Sequence, residues 1–308
     1  GLTLLATSVI GYGFATEFWM LLLFSILAGL GNSVFHPADL SILTQKVTSL
    51  RLGKAYGVHA FSGNVGWAAA PVFVIYATQL FNWKTALILA GFLGLFVVLF
   101  FFIIFGNDLN DRKFGSNVRV DAPVFSLASL NENLSLLFSS TILSCFCFFA
   151  LLAAALVGVQ SFGISAIQDL YDINITHATF ALSTFLVCSA IGILSGGILA
   201  DKTTRHDLIA MIGVMLSGLV LILIGSQLIT ASSVIACLGL SGFFSGFTAP
   251  SRDMLVKKVT PTGSTGRIFG FVYSGLDFGS SLMPLLLGLI MDIGSGSYVF
   301  YACAVMLF

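Results

Sequence analysis

Charged side chains are scarce in this sequence. Lysine and arginine contribute 13 of its 308 residues and aspartate and glutamate another 13, so the formal net charge is zero and 8% of the chain is charged. Soluble globular domains carry about 25% charged residues. This scarcity excludes an ordinary water-soluble surface, and without a dense basic run we expect no nucleic-acid partner.

Cysteine is also sparse, and its spacing follows no ligand pattern. The five cysteines lie inside apolar segments without a Cys-x-x-Cys pair, so neither a zinc nor a redox site is predicted. The sequence likewise has no nucleotide-binding loop, no His-Glu-x-x-His and no Gly-x-Ser-x-Gly motif. We therefore expect no metal, no cofactor and no enzymatic activity.

Long apolar segments make up most of the chain. Hydrophobic residues account for 57% of it, and the mean hydropathy is +1.04. A helix of about 20 apolar residues crosses a hydrocarbon core about 30 Å thick. The sequence therefore predicts an all-α membrane protein. Ten spanning segments are predicted, at residues 1–14, 18–45, 54–80, 84–106, 138–165, 177–200, 207–228, 232–256, 267–291 and 297–308.

Basic residues in the short loops indicate the orientation. If alternate loops are assigned to one side, that side collects every lysine and arginine except Lys84. Because such residues are retained inside during insertion, this side is predicted to be cytoplasmic, in the inner (plasma) membrane. A polar connection falls on the same side. The predicted organisation is an N-terminal bundle at 1–106, a cytoplasmic linker at 107–137 and a C-terminal bundle at 138–308.

An internal repeat relates the two predicted bundles. Pro37 and Pro250 are 213 residues apart, and the same shift matches further glycines and prolines without a gap. These pairs are Gly29 with Gly242, Gly53 with Gly266, Gly57 with Gly270, Gly66 with Gly279 and Pro71 with Pro284. We infer two halves built alike, although chance coincidence among 32 glycines is the alternative. By the same shift, two helices would precede residue 1, so ten of twelve would be present.

A loop motif carries a family resemblance. The segment Gly197-Ile-Leu-Ala-Asp-Lys-Thr-Thr-Arg-His206 resembles the Gly-x-x-x-Asp-Arg/Lys-x-Gly-x-Arg/Lys loop of the major facilitator superfamily, with Thr204 at the second glycine position. The resemblance implies two pseudo-symmetric six-helix bundles that transport a solute.

The same resemblance implies a gating role for this loop. Asp201, together with Lys202 and Arg205, would hold the cytoplasmic face closed by pairing with the helix that starts near Gly53 and Lys54. The N-terminus of a helix carries partial positive charge, which suits a carboxylate partner.

A second set of motifs resembles one branch of that family. Gly31-Asn-Ser-Val-Phe-His36-Pro37, with Gly63-Asn-Val-Gly66 and Pro71, is similar to the fosmidomycin-resistance type. Drug–proton antiporters usually carry an arginine where this chain has Ser25. An efflux antiporter of drugs or antibiotics stays open as the alternative function.

Ionisable residues inside a membrane are expected to face a cavity or a partner. His36 and Asp39 are three apart on one helical face, about 15 and about 10 Å from the cytoplasmic boundary. We predict that both line the solute path beside a kink at Pro37. Arg252 is the repeat counterpart of Asp39, which suggests a gating ion pair; a local pair with Asp253 is the alternative.

Proton coupling is predicted at two further residues. Asp277 lies near the bilayer midplane, and a carboxylate there could bind and release a proton; a permanently protonated aspartic acid is the alternative. Its repeat counterpart, Asn64, is predicted to line the solute cavity. His59 could relay protons, because histidine ordinarily titrates near pH 6.5, unless it only bonds a neighbouring helix. Gln160 and Ser161 are candidate solute contacts on the first helix of the second bundle.

These residues together predict a secondary transporter that moves a small organic solute by alternating access, coupled to protons. The expected partners are the solute, protons and the lipid bilayer, and we expect a monomer. An intramembrane enzyme or a channel is a further alternative; the missing catalytic motifs disfavour an enzyme, and the duplicated halves favour a carrier over a channel.

Overall fold

The computed structural model describes residues 1–106, 136–261 and 264–308. Nearly all of the predicted linker lies outside these residues. The helices are α1 (Leu2–Phe14), α2 (Phe18–Ser33), α3 (Phe35–Lys46), α4 (Leu52–Leu80), α5 (Trp83–Phe105), α6 (Ser140–Tyr171), α7 (Ile175–Ala200), α8 (His206–Gly225), α9 (Ala231–Val259), α10 (Thr265–Ile293) and α11 (Gly296–Leu307), with a short 3-10 turn at Ser49–Arg51. Within the described ranges no strand occurs, which confirms the all-α prediction.

Seven helical stretches of the described chain are long and apolar enough to cross a membrane. They are Phe18–Lys46, Trp83–Phe105, Ser140–Tyr171, Ile175–Ala200, His206–Gly225, Ala231–Val259 and Thr265–Asp292. Two further apolar helices, α1 and α11, are shorter, with 13 and 12 residues. The ten predicted segments thus coincide with helices.

One predicted segment is interrupted where α2 meets α3. Val34 separates the two helices, and Pro37 falls in the first turn of α3. Proline is tolerated there, because the first backbone N–H groups of a helix have no acceptor within it. The break therefore lies before the proline, whereas Pro250 stands inside the continuous α9.

Contacts divide the described residues into two compact units. Unit 1 comprises Gly1–Ala38 and Gly66–Phe138, and unit 2 comprises Asp39–Val65 and Ser139–Phe308. The bundle limits predicted from the sequence stay a prediction.

In unit 1, α1 packs against α2 and α5. A Cβ atom added at Gly91 of α5 would stand 2.7 Å from the Ala6 carbonyl oxygen of α1. Across the other contact, the Tyr12 hydroxyl bonds the Ser25 hydroxyl at 2.8 Å. Small residues and hydroxyl pairs of this kind hold helices together where lipid removes the hydrophobic driving force.

In unit 2, α7 and α9 approach closely along glycines of both helices. A Cβ atom at Gly196 would stand 3.1 Å from the Cα of Phe247, and one at Gly246 would stand 2.9 Å from the Cα of Ser189. Beside this contact, the buried Ser217 hydroxyl bonds both Ser241 and Ser245 at 2.8 Å, which ties α8 to α9. These contacts hold α7, α8 and α9 together in unit 2.

Candidate functional site

The carboxylate of Asp201 caps the start of α4. Oδ1 accepts the Gly53 backbone N–H at 2.7 Å, and both carboxylate oxygens lie 3.3 Å from the backbone nitrogen of Lys54. These amides belong to the first helical turn and lack acceptors within their own helix, and the helix dipole adds positive charge there. We call this contact the α4 cap. It joins side chain and backbone 148 residues apart.

Small residues let α7 and α4 come close enough for the α4 cap to form. A Cβ atom at Gly57 would stand 3.2 Å from the Cα of Gly197, and one at Gly53 would stand 2.8 Å from the Ala200 Cβ. Any larger side chain along this line would push the Asp201 carboxylate away from the α4 amides.

The two basic residues of the loop are placed differently from Asp201. Lys202 is exposed. Arg205 is also exposed and pairs with Asp207 at 3.0 Å, which raises the pKa of the Arg205 guanidinium. Their gating role, like that of Asp201, stays a prediction; the geometry places only Asp201 against α4.

Asp39 and His59 are brought together by the packing of α3 on α4. Asp39 Oδ2 lies 3.0 Å from His59 Nε2, and both side chains are partly buried. Nearby, the Thr44 hydroxyl bonds the hydroxyl of the fully buried Tyr56 at 2.9 Å. The sequence analysis singled out Asp39 and His59 separately, but their pairing depends on how two helices are rotated against each other.

Arg252 pairs with its neighbour Asp253. The distance from Arg252 Nε to Asp253 Oδ1 is 3.0 Å; the Asp253 side chain is buried and that of Arg252 is 11% exposed. The guanidinium carbon also lies 4.4 Å from the ring centre of Phe149 and 5.8 Å from that of Tyr273, a cation–π arrangement. This is the local pair that the sequence left as the alternative, and the gating pair with Asp39 stays a prediction.

Asp253 is a buried charged residue for which the sequence predicts no role beyond pairing with Arg252. It is 3% exposed, inside a helix long enough to span the membrane. Its signal was visible, since a carboxylate within an apolar helix requires a partner.

The remaining predicted residues lie on four helices. Asp277 is exposed on α10, Gln160 and Ser161 are exposed on α6, and Asn64 is partly buried on α4. His36 is partly buried in the first turn of α3. Roles for these five in solute binding or proton coupling stay predictions.

The sequence matches a family model along its whole length. Residues 1–173 and 137–308 each match the model described as Major Facilitator Superfamily. Over 302 residues the chain is 26% identical to a protein of Bacillus subtilis (strain 168) named "Uncharacterized MFS-type transporter YfnC". The alignment covers 95% of this chain and 69% of that protein.

Solved structures share the fold. A bacterial homologue of the iron transporter ferroportin, in the outward-facing state, superposes with a TM-score of 0.75 at 16% identity. The transporter FucP in the outward conformation gives 0.66 at 17% identity, and another structure, of the E. coli fucose:proton symporter FucP, gives 0.65 at 16%. Each of these three superpositions covers 99% of this chain and 78% of the solved chain. These likenesses confirm the predicted fold.

Proposed function

Because the chain belongs to the major facilitator superfamily, we propose that it is a secondary transporter that moves a small organic solute by alternating access, coupled to protons. Nucleotide-binding motifs are absent from the sequence, so the energy would come from an ion gradient. One of the structures with the same fold is named a fucose:proton symporter, which supports coupling to protons. The fosmidomycin-resistance-type branch and the plasma membrane as location belong to the same proposal.

The observation that carries this proposal is the α4 cap. Alternating access requires a contact that closes one face of the protein and can break. The α4 cap joins α7, from the predicted C-terminal bundle, to α4, from the predicted N-terminal bundle. A hydrogen bond to a charged group contributes about 1.5–3 kcal/mol. Differential binding of solute and proton supplies about 1–3 kcal/mol, which is enough to break such a contact.

In the proposed cycle, the α4 cap closes the cytoplasmic face while the solute enters from the other side. Solute and proton binding then favour separation of Asp201 from α4. The Gly53 and Lys54 amides and the carboxylate become hydrated, and the solute leaves into the cytoplasm. Return of the empty protein to the capped arrangement completes the cycle.

The proposal is tested by uptake into proteoliposomes that contain the whole protein. Organic acids, sugars, amino acids and antibiotics are supplied with an inward proton gradient, and internal solute is identified by mass spectrometry. We expect at least one solute to accumulate unmodified above its external concentration, and a protonophore to abolish the accumulation. Equilibration without accumulation would indicate a channel, and chemical conversion of the solute would indicate an enzyme.

A further inference from the structure

Two histidines and one aspartate converge where α3 packs against α4. His36 and Asp39 are one turn apart on α3, so both side chains lie on the same face of that helix. His59 comes from α4, and its Nε2 lies 3.0 Å from Asp39 Oδ2. One potential ligand atom from each of the three side chains lies within 4.8 Å of the other two. We call these residues the His–Asp–His cluster.

The side chains of the cluster are of the kinds that bind transition metals. Imidazole nitrogen suits zinc, copper, iron and nickel, and two histidines with one carboxylate form a recurring ligand set for such ions. Calcium and magnesium instead prefer sites built from oxygen ligands. The chemistry of the cluster therefore selects a divalent first-row transition metal.

The distances between the ligand atoms are close to those that such an ion requires. Zinc binds these ligands at about 2.0–2.2 Å, so two ligands of a tetrahedral ion are about 3.3–3.6 Å apart. The Asp39 and His59 atoms, at 3.0 Å, are already near that separation. The widest separation in the cluster, at most 4.8 Å, has to shrink by about 1–1.5 Å. Rotation of one imidazole about its side-chain bonds produces a shift of this size.

His36 is the residue best placed to make this shift. It stands in the first turn of α3, two residues after the break at Val34. The first N–H groups of a helix have no acceptor within it, so fewer hydrogen bonds hold the backbone there. The His36 ring packs edge-on against the neighbouring Phe35 ring, with 5.4 Å between the ring centres. This aromatic contact is weaker than a bond to a metal ion.

The cluster can exchange an ion without unfolding of the protein. The side chains of His59 and Asp39 are 27% and 18% exposed, and His36 is also partly exposed. Three protein ligands leave a fourth position for water, as in zinc sites that keep an open position. We therefore expect binding at the cluster to be reversible.

We infer that His36, Asp39 and His59 bind a divalent transition-metal ion, which then links α3 to α4. Spacing in the sequence predicts no such site, because its ligands come from two helices and only the packing of α3 on α4 brings them together. The inference goes beyond the proposed function and does not rest on it. Its tests measure binding and not transport, so the two can fail separately.

Co²⁺ is the probe for this site, because its visible absorption reports the ligands. The whole protein, purified with a tag that contains no histidine, is stripped of metal with a chelator and titrated in lipid nanodiscs. We expect one Co²⁺ ion per protein, with absorption typical of nitrogen and oxygen ligands, and displacement by Zn²⁺, which binds more tightly. Mg²⁺ and Ca²⁺ should not displace it. Zn²⁺ should also raise the unfolding temperature, because the folded cluster binds it preferentially.

Three variants each remove one ligand: His36→Gln, Asp39→Asn and His59→Gln. Each should weaken Co²⁺ binding about tenfold or more and abolish the effect of Zn²⁺ on the unfolding temperature. His177→Gln is the matched control, since His177 is exposed at the start of α7 and its ring bonds Asn174 at 2.8 Å. This control should bind Co²⁺ as the wild type does. If the three ligand variants also bind Co²⁺ as the wild type does, the inference is overturned.

A second measurement needs no variant. Cu²⁺, added at one ion per protein, reports its imidazole ligands through nitrogen couplings in pulsed electron paramagnetic resonance. The wild type should show two imidazoles, and His36→Gln or His59→Gln should show one. Fewer than two imidazoles on the ion in the folded wild-type protein would overturn the inference, even if no variant folds.

Discussion

Two helix starts in unit 2 are capped by a carboxylate from another helix, and they differ in what the cap connects. Asp201 accepts the Gly53 N–H at 2.7 Å, and Asp169 accepts the Gly296 N–H at 2.8 Å. The second contact, which we call the α11 cap, joins α6 to α11 inside the predicted C-terminal bundle. The α4 cap joins the two predicted bundles. We therefore expect the α11 cap to stay formed during transport and the α4 cap to form and break.

The surroundings of the two caps support this difference. Beside the α11 cap, the Tyr171 hydroxyl donates to the Ile224 carbonyl at 2.7 Å, and the Ser297 hydroxyl donates to the Gly225 carbonyl at 2.7 Å. Several independent bonds thus hold the ends of α6, α8 and α11 together. The α4 cap is supported mainly by contact between small residues of α4 and α7. We therefore expect the α4 cap to open more easily than the α11 cap.

The largest effect on transport is expected from Asp201→Ala. Removing the carboxylate leaves the first amides of α4 without an acceptor, and the capped arrangement loses about 1.5–3 kcal/mol. Proton-driven uptake should fall about tenfold or more, while the unfolding temperature changes little. Uptake rates in proteoliposomes measure this. Asp169→Ala is the matched control, and an equal loss of uptake in both variants would remove the distinction between the two caps.

A smaller effect on transport is expected from Gly57→Ala. The added methyl would stand 3.2 Å from the Cα of Gly197 and would hold α4 and α7 apart by a fraction of an ångström. Uptake should fall severalfold, because the cap forms less often. Gly63→Ala, on the same helix, has no atom of the described chain within 4 Å of the new methyl and should transport as the wild type. Equal uptake by the two variants would show that close approach at Gly57 does not matter.

The smallest effect on transport is expected from Asp169→Ala, which should act on stability. Losing an N-terminal cap destabilises a protein by about 1 kcal/mol. The unfolding temperature should therefore drop by about 2–4 °C in a thermal scan of the purified protein. Uptake by the remaining folded protein should stay within about twofold of the wild type, since the predicted bundles still separate normally. A large loss of uptake without loss of stability would assign α11 a part in gating.

The sequence predicted the helices well and the site only in pieces. Apolar length alone located all ten segments, because a spanning helix must satisfy its backbone internally. The break at Val34 was placed instead at Pro37, since proline signals a bend without fixing which residue absorbs it. The proximity of Asp201 to Gly53 came from family resemblance.

The pairing of side chains was beyond the sequence. Asp39 and His59 are 20 residues apart on different helices, and their contact depends on the rotation of α3 against α4. Asp253 lies next to Arg252 in sequence, yet its burial follows from the packing of α9 within unit 2. Periodicity predicts which residues share a face of one helix, but not which faces of two helices meet.

The distance between the α4 and α7 ends tests the closure most directly. Spin labels at Ser49→Cys and Thr204→Cys, both exposed positions, are introduced into the whole protein after its other cysteines are replaced. Pulsed electron paramagnetic resonance of the protein in nanodiscs should show two populations of the label-to-label distance, one shorter and one longer. Asp201→Ala should shift the protein to the longer one. One unchanging distance in both proteins would contradict a reversible closure at the α4 cap.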